Sequence, residues 1–154
     1  MKEFSLRLVE GFQKPVVRLY GVNVLIDTGA DIPVCYHPER YLEKAFHTKL
    51  VATDVGIGTF GDMVYGNVYA VDKFVVGELS YPGLKFFAPN TDRISEYHFI
   101  LSATMFDRLI YEIDKKNDIL TIRIPDDEPC ERRIRILDKE GKEHVLSAEG
   151  QGHT

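Results

Sequence analysis

An acid, a hydroxyl and a glycine end an apolar run in residues 24–31, V-L-I-D-T-G-A-D. A carboxylate at the end of a buried strand is costly unless it is solvated, paired or protonated. Thr28 places a hydroxyl beside Asp27, and Gly29 allows a sharp turn that directs backbone N–H groups towards the carboxylate. Ala30 is small and leaves room above the site. This spacing predicts a fixed carboxylate that a reactant can reach, as general acid–base catalysis requires.

A second segment of interest is residues 55–61, V-G-I-G-T-F-G, whose three glycines predict a mobile hairpin tip. Both segments also have simpler interpretations. Asp, Thr and Gly all favour ordinary turns, and glycines within a strand can mark β-bulges. The apolar run before the acid and the glycine hairpin after it favour the catalytic interpretation.

Residues 24–31 resemble the active-site loop of aspartic proteases, and the Ala after the Gly resembles the retroviral type, the retropepsins, and their cellular relatives. Residues 55–61 resemble the glycine-rich flap of that family. Residues 99–101, F-I-L, resemble the apolar pair that precedes the family's helix, and a closing hairpin follows. The resemblance covers roughly residues 14–124. Where the family has a glycine after the apolar pair, this chain has Ser102.

The resemblance implies a retropepsin-like acid-protease fold, in which a closed β-sheet half-domain forms a two-fold dimer. The 154 residues contain one Asp-Thr-Gly and no Asp-Ser-Gly, so the second catalytic acid must come from a second copy. Asp27 of each subunit is then the catalytic residue, and no metal or other cofactor is needed. Thr28 and Gly29 would support the active-site loop. The substrate-binding residues implied by the resemblance are Ala30, Asp31, Ile57, Gly58, Thr59 and Phe60.

Two functions are compatible with these features. The first is a homodimeric aspartic endopeptidase that hydrolyses peptide bonds in an extended protein or peptide substrate, with water activated by the Asp27 pair. The alternative is a catalytically weak or inactive dimerisation or peptide-binding module that kept the fold. Single residues also have simpler interpretations: Asp31 as a partner in a structural salt bridge, and Phe60 and Met63 as ordinary core residues.

Most of the chain alternates apolar and polar residues, which predicts an all-β domain with one or two short helices. Pro38 followed by good helix formers predicts a helix over residues 37–46, and residues 105–110 predict one or two more helical turns. Gly21-Val22 predicts a tight turn between two strands. Strands are expected at residues 4–9, 16–20, 23–26, 72–76, 77–79, 84–88, 111–114 and 119–124. Residues 51–71 are strand-like but contain four glycines, and residues 98–101 form a short apolar run.

The composition changes at Pro125, which divides the chain into a protease-like domain, 1–125, and a polar C-terminal extension, 126–154. The extension predicts one hairpin, from residues 133–137 and 143–146, and a frayed end over residues 147–154. Three roles remain open for it: it adds strands to the dimer sheet, covers the site as a self-inhibiting segment, or recruits a partner.

Charge and composition argue against several classes of protein. The net charge of −5, with a single basic cluster at residues 132–135, disfavours nucleic acid or an anionic membrane as a partner. No apolar run is long enough to span a bilayer, and the first residues lack the apolar core of a signal peptide. Cys35 and Cys130 are far apart, and the five histidines show no ligand spacing, so neither a disulfide framework nor a metal site is expected. We expect a reduced, cytoplasmic protein in which Cys35 is a buried apolar residue.

Overall fold

The computed structural model describes residues 2–27, 29–59, 61–107, 109–125, 131–138 and 143–149, without the side chains of Thr59 and of residues 131–149. Within these ranges the fold is mainly β, as the alternating pattern predicts. Neither described helix has the length and apolar character needed to cross a membrane. The elements in chain order are β1 (Lys2–Arg7), β2 (Val16–Leu19), β3 (Val22–Asp27), β4 (Val34–Cys35), α1 (Pro38–Ala45), β5 (Thr48–Thr59), β6 (Asp62–Val71), β7 (Lys73–Val76), β8 (Leu79–Pro82), β9 (Lys85–Pro89), β10 (Phe99–Ser102), α2 (Ala103–Phe106), β11 (Ile110–Asp114), β12 (Ile119–Ile124), β13 (Glu131–Asp138) and β14 (Glu143–Glu149).

The strands form one large sheet and two small ones. The large sheet has nine described strands in the order β14-β13-β5-β6-β9-β4-β10-β3-β2, a second sheet has the order β1-β12-β11, and β7 pairs with β8. β10 runs parallel to β3, so that Phe99 lies opposite Val24 and Ser102 lies opposite Asp27. The large sheet therefore places the last residue of β10 beside the candidate catalytic acid.

β3 is apolar without alternation because consecutive side chains on both of its faces are buried. Val24, Leu25 and Ile26 are all buried, and β3 has β10 on one side and β2 on the other. A strand covered on both faces is expected to be a nearly continuous apolar run. This burial fixes the backbone immediately before Asp27.

Aromatic rings fill the centre of the main core. Phe74 is fully buried, and its ring centroid lies 5.1 Å from that of Tyr20, 5.4 Å from that of Phe46, 5.5 Å from that of Phe86 and 5.9 Å from that of Phe99. Tilted and edge-on aromatic contacts at these distances add to the stabilisation from burial alone. Because Phe99 begins β10, this cluster anchors the strand that supports Asp27.

The turn between β2 and β3 lies one residue earlier than predicted. Leu19 pairs with Val22, so Tyr20 and Gly21 form the turn, with φ angles of 53° and 77°, and Val22 is already in the strand. A two-residue hairpin of this kind needs positive φ at both positions, which is unusual for tyrosine. The Tyr20 hydroxyl accepts a hydrogen bond from the Val75 N–H at 2.9 Å, which offsets part of this cost and could not be read from local sequence.

The helix α1 is confirmed, with Pro38 in its first turn and its own residue Leu42 buried. The second helix covers residues 103–106 rather than 105–110. Ala103 begins it directly after β10, and the extended backbone of Asp107 ends it. Ile110 already belongs to β11, because that strand pairs with β12.

The hairpin predicted from residues 111–114 and 119–124 is confirmed as β11 and β12. The hairpin predicted in the C-terminal extension is also confirmed, and it is longer than expected. β13 and β14 pair from Glu131 opposite Glu149 to Leu137 opposite Glu143. Residues 147–149, predicted as frayed, therefore lie in β14, whereas residues 150–154 lie outside the described residues.

We expect Phe74→Ala to destabilise the fold by about 3–5 kcal/mol, because it removes a fully buried ring and leaves a cavity among four other rings. Leu50→Ala is the control, since Leu50 is 50% exposed, and should change the free energy of unfolding by about 0.5 kcal/mol or less. Urea unfolding followed by circular dichroism measures both. Equal losses in the two variants would contradict the aromatic core.

Candidate active site

Asp27 is the last residue of β3, and its carboxylate is held by the turn that follows. The Gly29 N–H donates a hydrogen bond to Asp27 Oδ1 at 2.9 Å, and the Ala30 N–H donates to the Asp27 carbonyl at 3.1 Å. A Cβ atom on Gly29 would lie 3.3 Å from Oδ1, a tight contact that a glycine avoids. Asp27 is half-buried, so the carboxylate is fixed but remains in contact with solvent. Thr28, the predicted loop support, lies outside the described residues.

The loop after Asp27 is tied to the junction of β10 and α2. Ser102 lies opposite Asp27 in the parallel pair, and the Ala103 N–H donates to the Ala30 carbonyl at 3.0 Å. The loop is therefore held from within by Gly29 and from behind by Ala103. Sequence reasoning placed residues 99–101 near the site but gave Ala103 no role, since a backbone bond carries no residue-type signal.

Ser102 is accommodated without backbone strain. Its φ of −86° and ψ of 159° are ordinary extended values that any residue adopts. Its side chain is fully buried, and its Oγ lies 2.7 Å from Thr104 Oγ1, so the buried hydroxyl has a partner. This position therefore does not require glycine, and the hydroxyl pair adds a contact directly behind the Asp27 loop.

The glycine-rich segment forms the tip of the hairpin between β5 and β6. The pairing runs without a shift from Val55 opposite Gly66 to Thr59 opposite Asp62, and Gly61 has a φ of 89°. The register shifts of this hairpin lie earlier, between residues 50 and 55. The described pairing therefore shows no β-bulge at Gly56 or Gly58. Phe60 and the side chain of Thr59 lie outside the described parts of the chain.

The base of this hairpin packs against the segment that follows the Asp27 loop. Val55 is buried in a small cluster with Ile32, Val68 and Phe87, and the half-buried Ile57 packs on the same cluster. Ile32 comes directly after Asp31, so the cluster joins the flap-like hairpin to the loop. Val55 is completely buried and therefore belongs to the core rather than to a substrate-binding surface.

The remaining predicted site residues differ in exposure. Ala30 and Ile57 are half-buried, whereas Asp31 and Gly58 are exposed. Asp31 forms no ion pair with any side chain that the structure describes, so the salt-bridge interpretation gains no support. Met63 is 47% exposed and is not a core residue. These positions leave Ala30, Asp31, Ile57 and Gly58 within reach of a bound molecule.

The Cys35 thiol is disfavoured as an alternative nucleophile in this region. Burial, together with the nearby Glu39, raises the pKa of the Cys35 thiol, so Cys35 stays protonated and is a poor nucleophile. Its predicted burial is confirmed. Burial lowers the pKa of His98, with further contributions from His37 and Arg18. Within the described part of the chain, no three His, Cys, Asp or Glu side chains are grouped so as to hold a metal ion.

No match is found for this chain among protein-family models, curated proteins or solved structures. The catalytic role of Asp27 therefore stays a prediction from the resemblance of residues 24–31 to the active-site loop of aspartic proteases.

We expect Ser102→Ala to lower the free energy of unfolding by about 1–2 kcal/mol, because it removes a buried hydroxyl pair. Ser5→Ala is the matched control. Ser5 also bonds a threonine hydroxyl, that of Thr121 at 3.1 Å, but on the exposed surface, so its loss should be about 0.5 kcal/mol or less. Urea unfolding compares the two, and equal losses would contradict a stabilising role for the Ser102 hydroxyl.

Proposed function

We propose that the chain is a homodimeric aspartic endopeptidase of the retropepsin-like type, which hydrolyses peptide bonds in an extended substrate. The observation that carries this proposal is the Asp27 carboxylate, held 2.9 Å from the Gly29 N–H at the end of a buried strand. The hairpin with the Gly61 tip packs against the same loop through Ile32, and supplies the cover that such a site needs.

The chemistry follows from bringing two copies of Asp27 together. Two carboxylates about 3 Å apart cannot both ionise without a large cost, so the pair holds one proton. The ionised carboxylate takes a proton from a shared water, which attacks the peptide carbonyl. The protonated one donates a hydrogen bond to the developing oxyanion, and a proton then passes to the leaving nitrogen as the C–N bond breaks.

The substrate would bind as an added strand between the loop and the flap. Main-chain hydrogen bonds to a strand edge recognise an extended peptide irrespective of its sequence, and pockets for alternate side chains give specificity. In this proposal Gly29, Ala30 and Asp31 contact the peptide on the side of the Asp27 loop. On the opposite side, the flap contacts the peptide through Ile57, Gly58, Thr59 and Phe60. Closure of the flap excludes water from the reacting bond.

A second copy is required because one chain supplies one Asp-Thr-Gly. Support for a dimer also comes from the three-stranded sheet. On one of its faces, Leu120 and Ile122 of β12 are buried in the main core. Tyr111 and Ile113 of β11 lie opposite Ile122 and Leu120 and share that apolar face, but they remain 37% and 40% exposed.

The opposite face of this sheet is polar and holds the strands together. Arg123 donates to Glu3 of β1 at 2.7 Å and to Glu112 of β11 at 2.5 Å, and the hydrogen bond from Arg123 lowers the pKa of the Glu112 carboxyl. β11 is thus fixed in place while its apolar side is uncovered. An apolar strip on an edge strand is a hazard for a monomer, and a second copy that covers it removes the hazard.

We expect Asp27→Asn to abolish cleavage, with a loss of at least about 100-fold, because the amide cannot exchange the proton that general acid–base catalysis needs. The fold should persist, since an Asn Oδ1 still accepts the Gly29 N–H. Cleavage of a mixed peptide library, read by mass spectrometry over mildly acidic to neutral pH, measures the loss. Asp72→Asn, an exposed carboxylate distant in sequence from the site, is the control. Unchanged cleavage in Asp27→Asn would contradict the proposal, and retained peptide binding by a wild-type chain that never cleaves would favour the binding module.

We expect Ile113→Lys to convert the dimer into monomers, because it places a charge on the uncovered apolar face. Ile119→Lys is the control, since Ile119 is 37% exposed but lies opposite Asp114 and Arg7 on the polar face. Sedimentation velocity gives the oligomeric state, and cleavage should fall only in Ile113→Lys. An active wild-type monomer, or an Ile113→Lys variant that stays dimeric, would overturn this choice of interface.

A further inference from the structure

One edge of the strand β5 pairs with β6, and the other edge has a short pairing with β13. β6 occupies the first edge over Thr48–Thr59. On the other edge, the described residues of β13 in the C-terminal hairpin pair with β5 at two positions, Leu137 opposite Gly56 and Asp138 opposite Val55. The C-terminal hairpin, residues 131–149, therefore contacts the base of the flap-like hairpin.

This contact restricts the length of edge that a peptide can use. Between Gly56 and the tip, the free edge comprises three residues, Ile57 to Thr59, which is roughly 10 Å of strand. On the other side of Val55 the ladder is irregular, with register shifts between residues 50 and 55 and a φ of 51° at Asp54. An extended peptide with several residues on either side of the cleaved bond would therefore meet β13.

The hairpin also lies against elements close to the Asp27 loop. β13 passes beside α2, and β14 passes beside β8 and β9. α2 begins at Ala103, whose N–H holds the Ala30 carbonyl. The backbone of the hairpin thus contacts both the flap-like strand and the helix that supports the loop of the candidate acid.

We propose that the C-terminal hairpin is a tethered strand that blocks the edge of β5 at Val55 and Gly56, and that an extended peptide longer than the free edge Ile57–Thr59 binds there only after the hairpin detaches. The inference rests on the proposed function, because it takes this edge as the one used by the substrate. Of the three roles considered for the extension, it selects the self-inhibiting one.

The pairing pattern makes such a hairpin displaceable. Among the described residues, detachment breaks two residue pairs with β5 and the contacts with α2, β8 and β9, while the seven pairs between β13 and β14 are kept. The detached hairpin thus keeps the hydrogen bonds between its own strands. Because it is joined to the same chain, the hairpin returns at an effective concentration in the millimolar range, and a free peptide must compete with it.

The test uses the full-length chain with Asp27→Asn, so that a bound peptide is not cleaved. The probe is a fluorescein-labelled synthetic peptide with the sequence of residues 131–149, and its binding is followed by fluorescence polarisation. The release variant carries Leu137→Pro and Asp138→Pro at the two positions opposite β5. Because neighbouring residues of a strand direct their N–H groups to opposite sides, one of the two prolines removes a donor on the β5 side. The control carries Ala148→Pro and Glu149→Pro at the other end of the hairpin, opposite Arg132 and Glu131, where the described strands show no pairing with β5.

We expect the release variant to bind the peptide at least about 10-fold more tightly than the unmodified and control chains, because the competent state is no longer a minor population. Faster hydrogen exchange at Gly56 and Val55 in the release variant alone would confirm detachment. Equal affinity in all three chains, or detachment without any gain in binding, overturns the inference.

Cleavage assays separate this inference from the proposed function. If the release variant gains peptide binding but the same chain with Asp27 intact cleaves nothing, proteolysis fails and the tethered strand stands. If chains with Asp27 intact cleave equally well with and without the two prolines, the tethered strand fails and proteolysis stands.

Discussion

The arrangement of this protein depends on a carboxylate placed where a buried strand ends. Val24, Leu25 and Ile26 are buried, and the next residue, Asp27, places its carboxyl group at the boundary of the core. The Gly29 N–H at 2.9 Å compensates the carboxylate, and parallel pairing with β10 fixes the strand that bears it. Because the aromatic core holds Phe99 at the start of β10, the stability of the core and the geometry of the acid are coupled.

Two features far apart in sequence both suggest a second copy of the chain. A lone Asp-Thr-Gly supplies one acid where hydrolysis by a carboxylate pair needs two. Independently, β11 shows Tyr111 and Ile113 on a face whose inner part is core. The ion pairs of Arg123 on the opposite face fix that strand to the sheet, so its apolar side is presented as a rigid surface. A dimer would satisfy both features at once.

The flap-like hairpin packs into a core at its base and has an outer strand edge that lies next to β13. Its base, through Val55 and Ile57, is part of a small core with Ile32, which couples it to the Asp27 loop. Its outer edge is the strand edge next to β13. A hairpin with a buried base and an exposed tip can move at the tip without loss of core packing. In the proposed self-inhibition, β13 and a bound peptide would compete for this edge, because a strand edge pairs with one neighbour at a time.

The sequence by itself determined what depends on local pattern. Alternation predicted the strands, Pro38 predicted the start of α1, and the apolar run ending in Asp-Thr-Gly predicted a held carboxylate. These signals are local because side-chain periodicity and turn chemistry act over a few residues. The same patterns placed the turn at Gly21-Val22, one residue too late, and the second helix at 105–110, which begins two and ends four residues too late.

Only the tertiary structure decided which groups meet. Tyr20 takes a strained turn position since its hydroxyl reaches Val75, and α2 begins at Ala103 because that residue is bonded to Ala30. Val55 is a core residue because Ile32, Val68 and Phe87 surround it. The pairing of β13 with β5 joins segments about 80 residues apart in sequence. Burial and backbone pairing depend on distant partners, and no window of sequence contains both members of such a contact.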